Sequence, residues 1–98
     1  MRFDWDERKS RSNHRKHGVS FDTARSVFDD PHALSKLERV VDGEERWQTI
    51  GMTDEIVLLV AHTWRDESGD EVIRLISARK ATPTERQAYA ENEKHQSQ

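Results

Sequence analysis

The chain has 98 residues, 36% of them charged and 33% hydrophobic, with a net charge of −3 and no cysteine. That length supports one domain with a modest core, and the absence of thiols excludes a disulfide frame, a cysteine metal site and a cysteine nucleophile. No apolar run approaches the roughly 20 residues that span a bilayer and Met1-Arg2-Phe3-Asp4 opens no signal peptide, so a cytoplasmic protein with no membrane partner is expected.

Phe3 and Trp5 alternate with charged residues, which predicts a short edge strand, and Asp6-Glu7 offers an N-cap and a first-turn acid. The helix predicted over 7–17, ERKSRSNHRKH, has no large aliphatic residue. It cannot bury an ordinary apolar stripe, so it must dock weakly or face a ligand. From Arg8 to His17 there are five Lys or Arg residues and no acid, whereas 29–70 is mostly acidic, so a basic face on an acidic protein is expected. Gly18 is placed to end this helix, with Val19 making the contact that follows such a cap and with Lys16 and His17 complementing the helix dipole. Ser20 caps a second helix over 21–28, where Phe21, Ala24, Val27 and Phe28 recur at spacings of three and four. Asp29-Asp30-Pro31 stops it.

Residues 33–41 read as an irregular strand and Asp42-Gly43-Glu44 as a turn. Over 46–52 Trp47, Thr49 and Gly51 alternate with Arg46, Gln48, Ile50 and Met52, and Thr53-Asp54-Glu55 turns the chain again. The run 56–61 is apolar on both faces and predicts the central strand, extended by His62, Thr63 and Trp64. Residues 65–70 read as a polar hairpin loop into a strand from Glu71, in which Val72, Ile73, Leu75 and Ile76 are mixed with Arg74, Ser77 and Arg79. Thr82-Pro83-Thr84-Glu85 is a capping box that starts a helix reaching about Glu91, with a frayed polar tail expected after about residue 93. The order implies a single α+β domain over 1–98: a short strand and two helices, an antiparallel sheet meander and a C-terminal helix, with the helices on one side of the sheet.

The strand-to-helix junction carries the best candidate chemistry. Arg79, Lys80, Arg86 and Tyr89 fall within a few residues of a positively polarised helix start, which suits a phosphate-bearing ligand. His14 and His17 lie three apart but need further ligands to hold a metal, so neither a metal nor another cofactor is expected.

Three segments, FDWDERKSRSNHRKHGVSF, GEERWQTIGMT and VIRLISARKATPTERQAY, together resemble the BrnT family of toxins from bacterial type II toxin–antitoxin pairs. The likeness covers nearly the whole chain. It implies a RelE/ParE-like fold, a ribonuclease that halts translation, and neutralisation by a BrnA-like DNA-binding antitoxin. It also implies contact with operator DNA only through that antitoxin, in a complex that admits a dimer. The motif positions carried over are Asn13, Lys16, His17, Gly18, Arg46, Gly51, Arg74, Arg79, Glu85, Arg86 and Tyr89, without assigned roles.

Roles for an RNA substrate follow from chemistry. Metal-free cleavage needs the 2′-hydroxyl deprotonated, the charge on phosphorus stabilised and the leaving oxygen protonated. The guanidinium fork suits the second task, with Arg79 first and Arg46 or Arg74 beside it. His17, His62, Glu85 and Tyr89 are the groups for proton transfer. Lys9, Arg11, Arg15, Lys16, Lys80 and Arg86 are candidate RNA contacts, and Trp47 or Trp64 a base-stacking platform. Structural readings stay open beside these. Lys16-His17-Gly18 is accounted for as a helix end, His62 as a satisfied core histidine, and Glu85 as a cap partner. Arg74 is open as an ion pair with Glu45 or Glu71, and the tryptophans as core. The rival to an enzyme is a non-catalytic interaction module that binds a DNA-binding partner and tunes repression.

Overall fold

The computed structural model describes residues 1–96. Strand β1 (Arg2–Asp4) leads into α1 (Glu7–His17) and α2 (Phe21–Arg25), which tightens into a 3-10 turn (Ser26–Asp29). Then come β2 (Leu34–Val41), β3 (Glu44–Thr53), β4 (Ile56–Thr63), β5 (Arg65–Glu67), β6 (Asp70–Lys80) and α3 (Pro83–Gln96). The expected α+β class is observed, and the predicted caps are in place. Asp6 accepts from the Arg8 amide at 2.8 Å, Gly18 takes φ 75° and donates to the His14 carbonyl, and Ser20 accepts from the Thr23 amide. At α3 both halves of the capping box form: the Thr82 amide donates to Glu85 Oε1 at 2.8 Å and the Glu85 amide to Thr82 Oγ1 at 3.2 Å. The helix continues to Gln96, and part of the expected frayed tail, residues 97–98, lies outside the described residues.

The strands run in the order β1-β6-β4-β3-β2, with β5 also paired to β6. Three expectations need correction. The sheet is mixed, because β1 pairs parallel to β6, with Phe3 opposite Ile73 and Asp4 opposite Arg74. Residues 65–70 are not all loop: Arg65–Glu67 forms β5, folded back on β6 around Ser68 and Gly69, both at positive φ. The helices do not share one side. On one face Phe21, Ala24 and Val27 pack with Leu58, Val60, Ile73, Leu75 and Ala78; on the other Tyr89 of α3 packs on Ile50 and Leu59. The physical reason lies in β4, whose Leu58 and Leu59 point to opposite faces, so both must be covered. Burying side chains of this size stabilises by about 1.5–3 kcal/mol each.

The polar helix α1 docks by hydrogen bonds in place of an apolar stripe. Asn13 Nδ2 donates to the carbonyls of Val19 and Ala78, both at 2.8 Å, and Asn13 Oδ1 accepts from the Ala78 amide at 3.2 Å. The amide side chain thereby takes the place of a neighbouring strand on β6 beyond the end of β1. Ser10 Oγ, also buried, accepts from the Phe21 amide. On β3, Gly51 lets the 3-10 turn approach: a Cβ there would sit 2.6 Å from Val27 Cγ1 and 3.2 Å from the Val27 carbonyl.

Candidate active site

Beside the start of α3, where Glu85 holds Arg79, the second sheet face is open and forms a cleft of about 240 Å³. Two irregularities in the strands shape it. The β2–β3 register pairs Leu37 with Trp47 and then Arg39 with Arg46, so Glu38 is an extra residue in β2. The β4–β6 register pairs Ala61 with Ser77 and His62 with Leu75, so Ile76 is extra in β6. In a regular strand Glu38 and Arg39 would point to opposite faces, and so would Ile76 and Ser77; at these bulges both members of each pair line the cleft.

The cleft brings together Arg79, the first-choice guanidinium, and Arg46, one of the two offered beside it, and adds Arg39, directly across from Arg46. Arg79 is held by a two-pronged contact with Glu85, Nη1 to Oε1 at 2.8 Å and Nη2 to Oε2 at 3.0 Å. The same carboxylate caps α3, so the helix start fixes the arginine. Hydrogen bonds from Arg79 above all, with the Thr82 amide adding, hold Glu85 down at about 2, although burial opposes them. Arg46 pairs with Glu44 at 3.1 Å, and its Nε is buried with no partner among the described residues. The side chains of Arg46 and Arg79 keep 30% and 38% of their surface, enough to meet a ligand.

Other predicted site residues stand elsewhere. Arg74 does not line the cleft, and its partner is neither Glu45 nor Glu71: Nη1 meets Asp4 Oδ2 at 2.6 Å across the β1–β6 pair, a contact between residues 70 apart in sequence. Tyr89 is 4% exposed and donates its hydroxyl to Asp30 Oδ2 at 2.7 Å. Burial and the Asp30 carboxylate push the phenol above its ordinary range. Burial would raise Asp30, but donations from the Met52 amide, the Tyr89 hydroxyl and the His32 amide outweigh it and hold the carboxyl low. Arg86 donates to the Ala81 carbonyl at 2.9 Å and so braces the junction, while Lys80 is exposed. Lys9, Arg11, Arg15, Lys16 and His17 are exposed on α1, and none lines the cleft.

His62 is a satisfied core histidine. Its Nδ1 faces the Thr63 carbonyl at 2.9 Å, which accepts only, so the proton sits there and Nε2 accepts from Thr49 Oγ1 at 2.7 Å. Burial lowers its affinity for a second proton. Trp47 and Trp64 pack edge to face at 5.3 Å, half-buried.

A larger groove, of about 650 Å³, is lined near Trp64 by four acids, Asp42, Glu44, Glu45 and Asp66, against one cation, Arg65. Its charge repels phosphate, so sign, and not size, selects the arginine cleft. Among the described residues no three His, Asp or Glu side chains form a metal-binding cluster, and no helix is long and apolar enough to cross a membrane. Sequence reasoning missed Arg39, Glu38, Gln48 and Ser77 as lining residues; the only signal was the irregular alternation of 33–41, which is the β2 bulge itself.

No curated protein matches the chain. Residues 5–85 match the family described as ribonuclease toxin, BrnT, of type II toxin–antitoxin systems, and with that span, more than half its length, the chain belongs to this family.

Proposed function

We propose that this toxin is a metal-independent endoribonuclease of the cytoplasm that cuts RNA in the arginine cleft and thereby inhibits translation. In this reading the fold is of the RelE/ParE type, and a BrnA-like DNA-binding antitoxin neutralises the enzyme. The antitoxin alone touches operator DNA. The observation that carries the reading is the convergence of Arg39, Arg46 and Arg79 on one open cleft, one guanidinium anchored by Glu85 and another with a buried, unpartnered Nε–H. Donors fixed before the reaction stabilise charge growing on phosphorus without reorganising. The accessible parts of the Arg46 and Arg79 side chains would meet the phosphate oxygens. Lys80, and the cations Lys9, Arg11, Arg15 and Lys16 of α1, then serve as flanking contacts to the backbone of the RNA.

The test is cleavage of end-labelled RNA in a cell-free translation extract containing EDTA-treated protein, beside Arg79→Ala. Removing a donor to the transition state lowers the rate about 100- to 1,000-fold. A fully active Arg79→Ala protein would refute the assignment.

A second reading has its own observation. On the edge strand β2, Leu37 and Val40 are 45% and 57% exposed, which favours an interaction module that binds its partner without cutting RNA. That module leaves RNA intact in the same extract at every protein concentration.

A further inference from the structure

RNA cleavage without a metal needs a proton acceptor as well as cations, and the open face holds one that nothing else in the fold uses. We propose that Glu38 is the general base of the cleft, an inference that rests on the ribonuclease reading above. Glu38 is the sole carboxylate among the cleft-lining residues. It is exposed and its side chain has no hydrogen bond or ion pair among the described residues, whereas the other candidate acceptors are engaged or, like His17 on α1, do not line the cleft. Glu85 is held by Arg79 and the Thr82 amide, His62 has both ring nitrogens occupied, and Tyr89 is buried against Asp30.

The bulge explains the placement. As the extra residue between the Leu37–Trp47 and Arg39–Arg46 pairs, Glu38 is turned onto the same face as Arg39. One backbone irregularity thus delivers a carboxylate and a guanidinium side by side to a site that a regular strand would have given only one of them.

In the reaction, the Glu38 carboxylate takes the proton of the 2′-hydroxyl. The 2′-oxygen forms a bond to phosphorus, the bond from phosphorus to the 5′-oxygen breaks, and the leaving 5′-oxygen takes a proton from water. Glu38 then releases its proton to the hydroxide so formed. The products are a 2′,3′-cyclic phosphate and a 5′-hydroxyl, with no net uptake of protons. Arg39, Arg46 and Arg79 face the phosphoryl oxygens through these steps.

The experiment compares parent, Glu38→Gln, Glu38→Asp, Arg46→Ala and Arg79→Ala in the translation extract, reading mRNA cleavage by primer extension. Affinity for a 2′-O-methyl RNA, which lacks the nucleophile, is measured by fluorescence anisotropy. Glu38→Gln is expected to cut about 100- to 10,000-fold more slowly. It should bind the RNA analogue as tightly as the parent or more tightly, because a negative charge has left a phosphate site. Glu38→Asp should recover part of the rate, and the arginine variants should lose both rate and affinity. If Glu38→Gln cuts like the parent while the arginine variants do not, the cleft stands and the base assignment falls. If it loses affinity together with rate, or melts early together with Glu38→Asp, Glu38 is a binding or structural residue and the proposal is overturned. Full cleavage by both arginine variants, or none by the parent, overturns the ribonuclease cleft and the proposal with it.

Discussion

Asn13→Ala tests how a helix with no apolar stripe is held to the sheet. The substitution removes three hydrogen bonds and leaves the carbonyls of Val19 and Ala78 and the amide of Ala78 without partners at a site where Asn13 itself is only 8% exposed. A buried polar group left unsatisfied costs about 1–3 kcal/mol, so three of them at the low end cost about 3 kcal/mol. Against a total of about 5–15 kcal/mol for a domain, that is a large fraction. Urea unfolding followed by tryptophan fluorescence reads it directly: with a slope of about 1.5 kcal/mol per molar, the midpoint should fall by about 2 M. Asn13→Asp should be worse still at neutral pH, since it sets a carboxylate against two carbonyl oxygens, and should recover partly when that carboxylate is protonated. Ser12→Ala, exposed on the same helix, should change stability by less than about 0.5 kcal/mol. A loss below about 1 kcal/mol for Asn13→Ala would show that α1 is held by something other than this amide.

Gly51→Ala should destabilise by about 1–3 kcal/mol, because the new methyl meets Val27 Cγ1 at 2.6 Å, and the double variant with Val27→Ala should be more stable than the sum of the single losses; strict additivity in thermal unfolding would refute the clash. Glu85 has a folded pKa of about 2 against its ordinary 4.5, so the stability it contributes is complete above about pH 4.5 and is lost as pH falls towards 2. Acid titration of unfolding should therefore be shallower for Glu85→Gln than for the parent over that window, and identical curves would contradict the pairing with Arg79.

The features legible in the sequence were those written within a few residues. The Thr82–Glu85 box, the Asp6 and Ser20 caps and the Gly18 stop depend on neighbours, so their chemistry is visible in the chain itself. The β3 alternation, with Arg46 and Gln48 on one face, also survived intact. What stayed hidden depended on distant partners. The parallel pairing of three residues of β1 with β6, and the Asp4–Arg74 contact it brings, have no local signature. β5 carries the charged residues Arg65, Asp66 and Glu67, so no apolar alternation marks it, and only pairing with β6 makes it a strand. At the site, Arg46 and Arg79 were identifiable by residue type, but Glu38 and Arg39 were not, because a bulge is a backbone event that reverses the facing of one side chain. The placement of α3 on the second face was implicit in the apolar character of 56–61, which no single layer of helices can cover.

The strand order has a temporal meaning during synthesis. β6 is the partner of β1, β4 and β5, and it also supplies Ser77 and Arg79 to one wall of the cleft. The wall made by β2 and β3 leaves the ribosome first, but the opposite wall waits for residues 76–79, and Arg79 is fixed only when Glu85 follows. Contacts that join residues 2–4 to 72–74 are also among the slowest kinds to form. Under the proposed ribonuclease reading, a growing chain carries only half of the arginine cleft until β6 and the start of α3 have emerged, which until then keeps a nascent copy from acting on the message that encodes it.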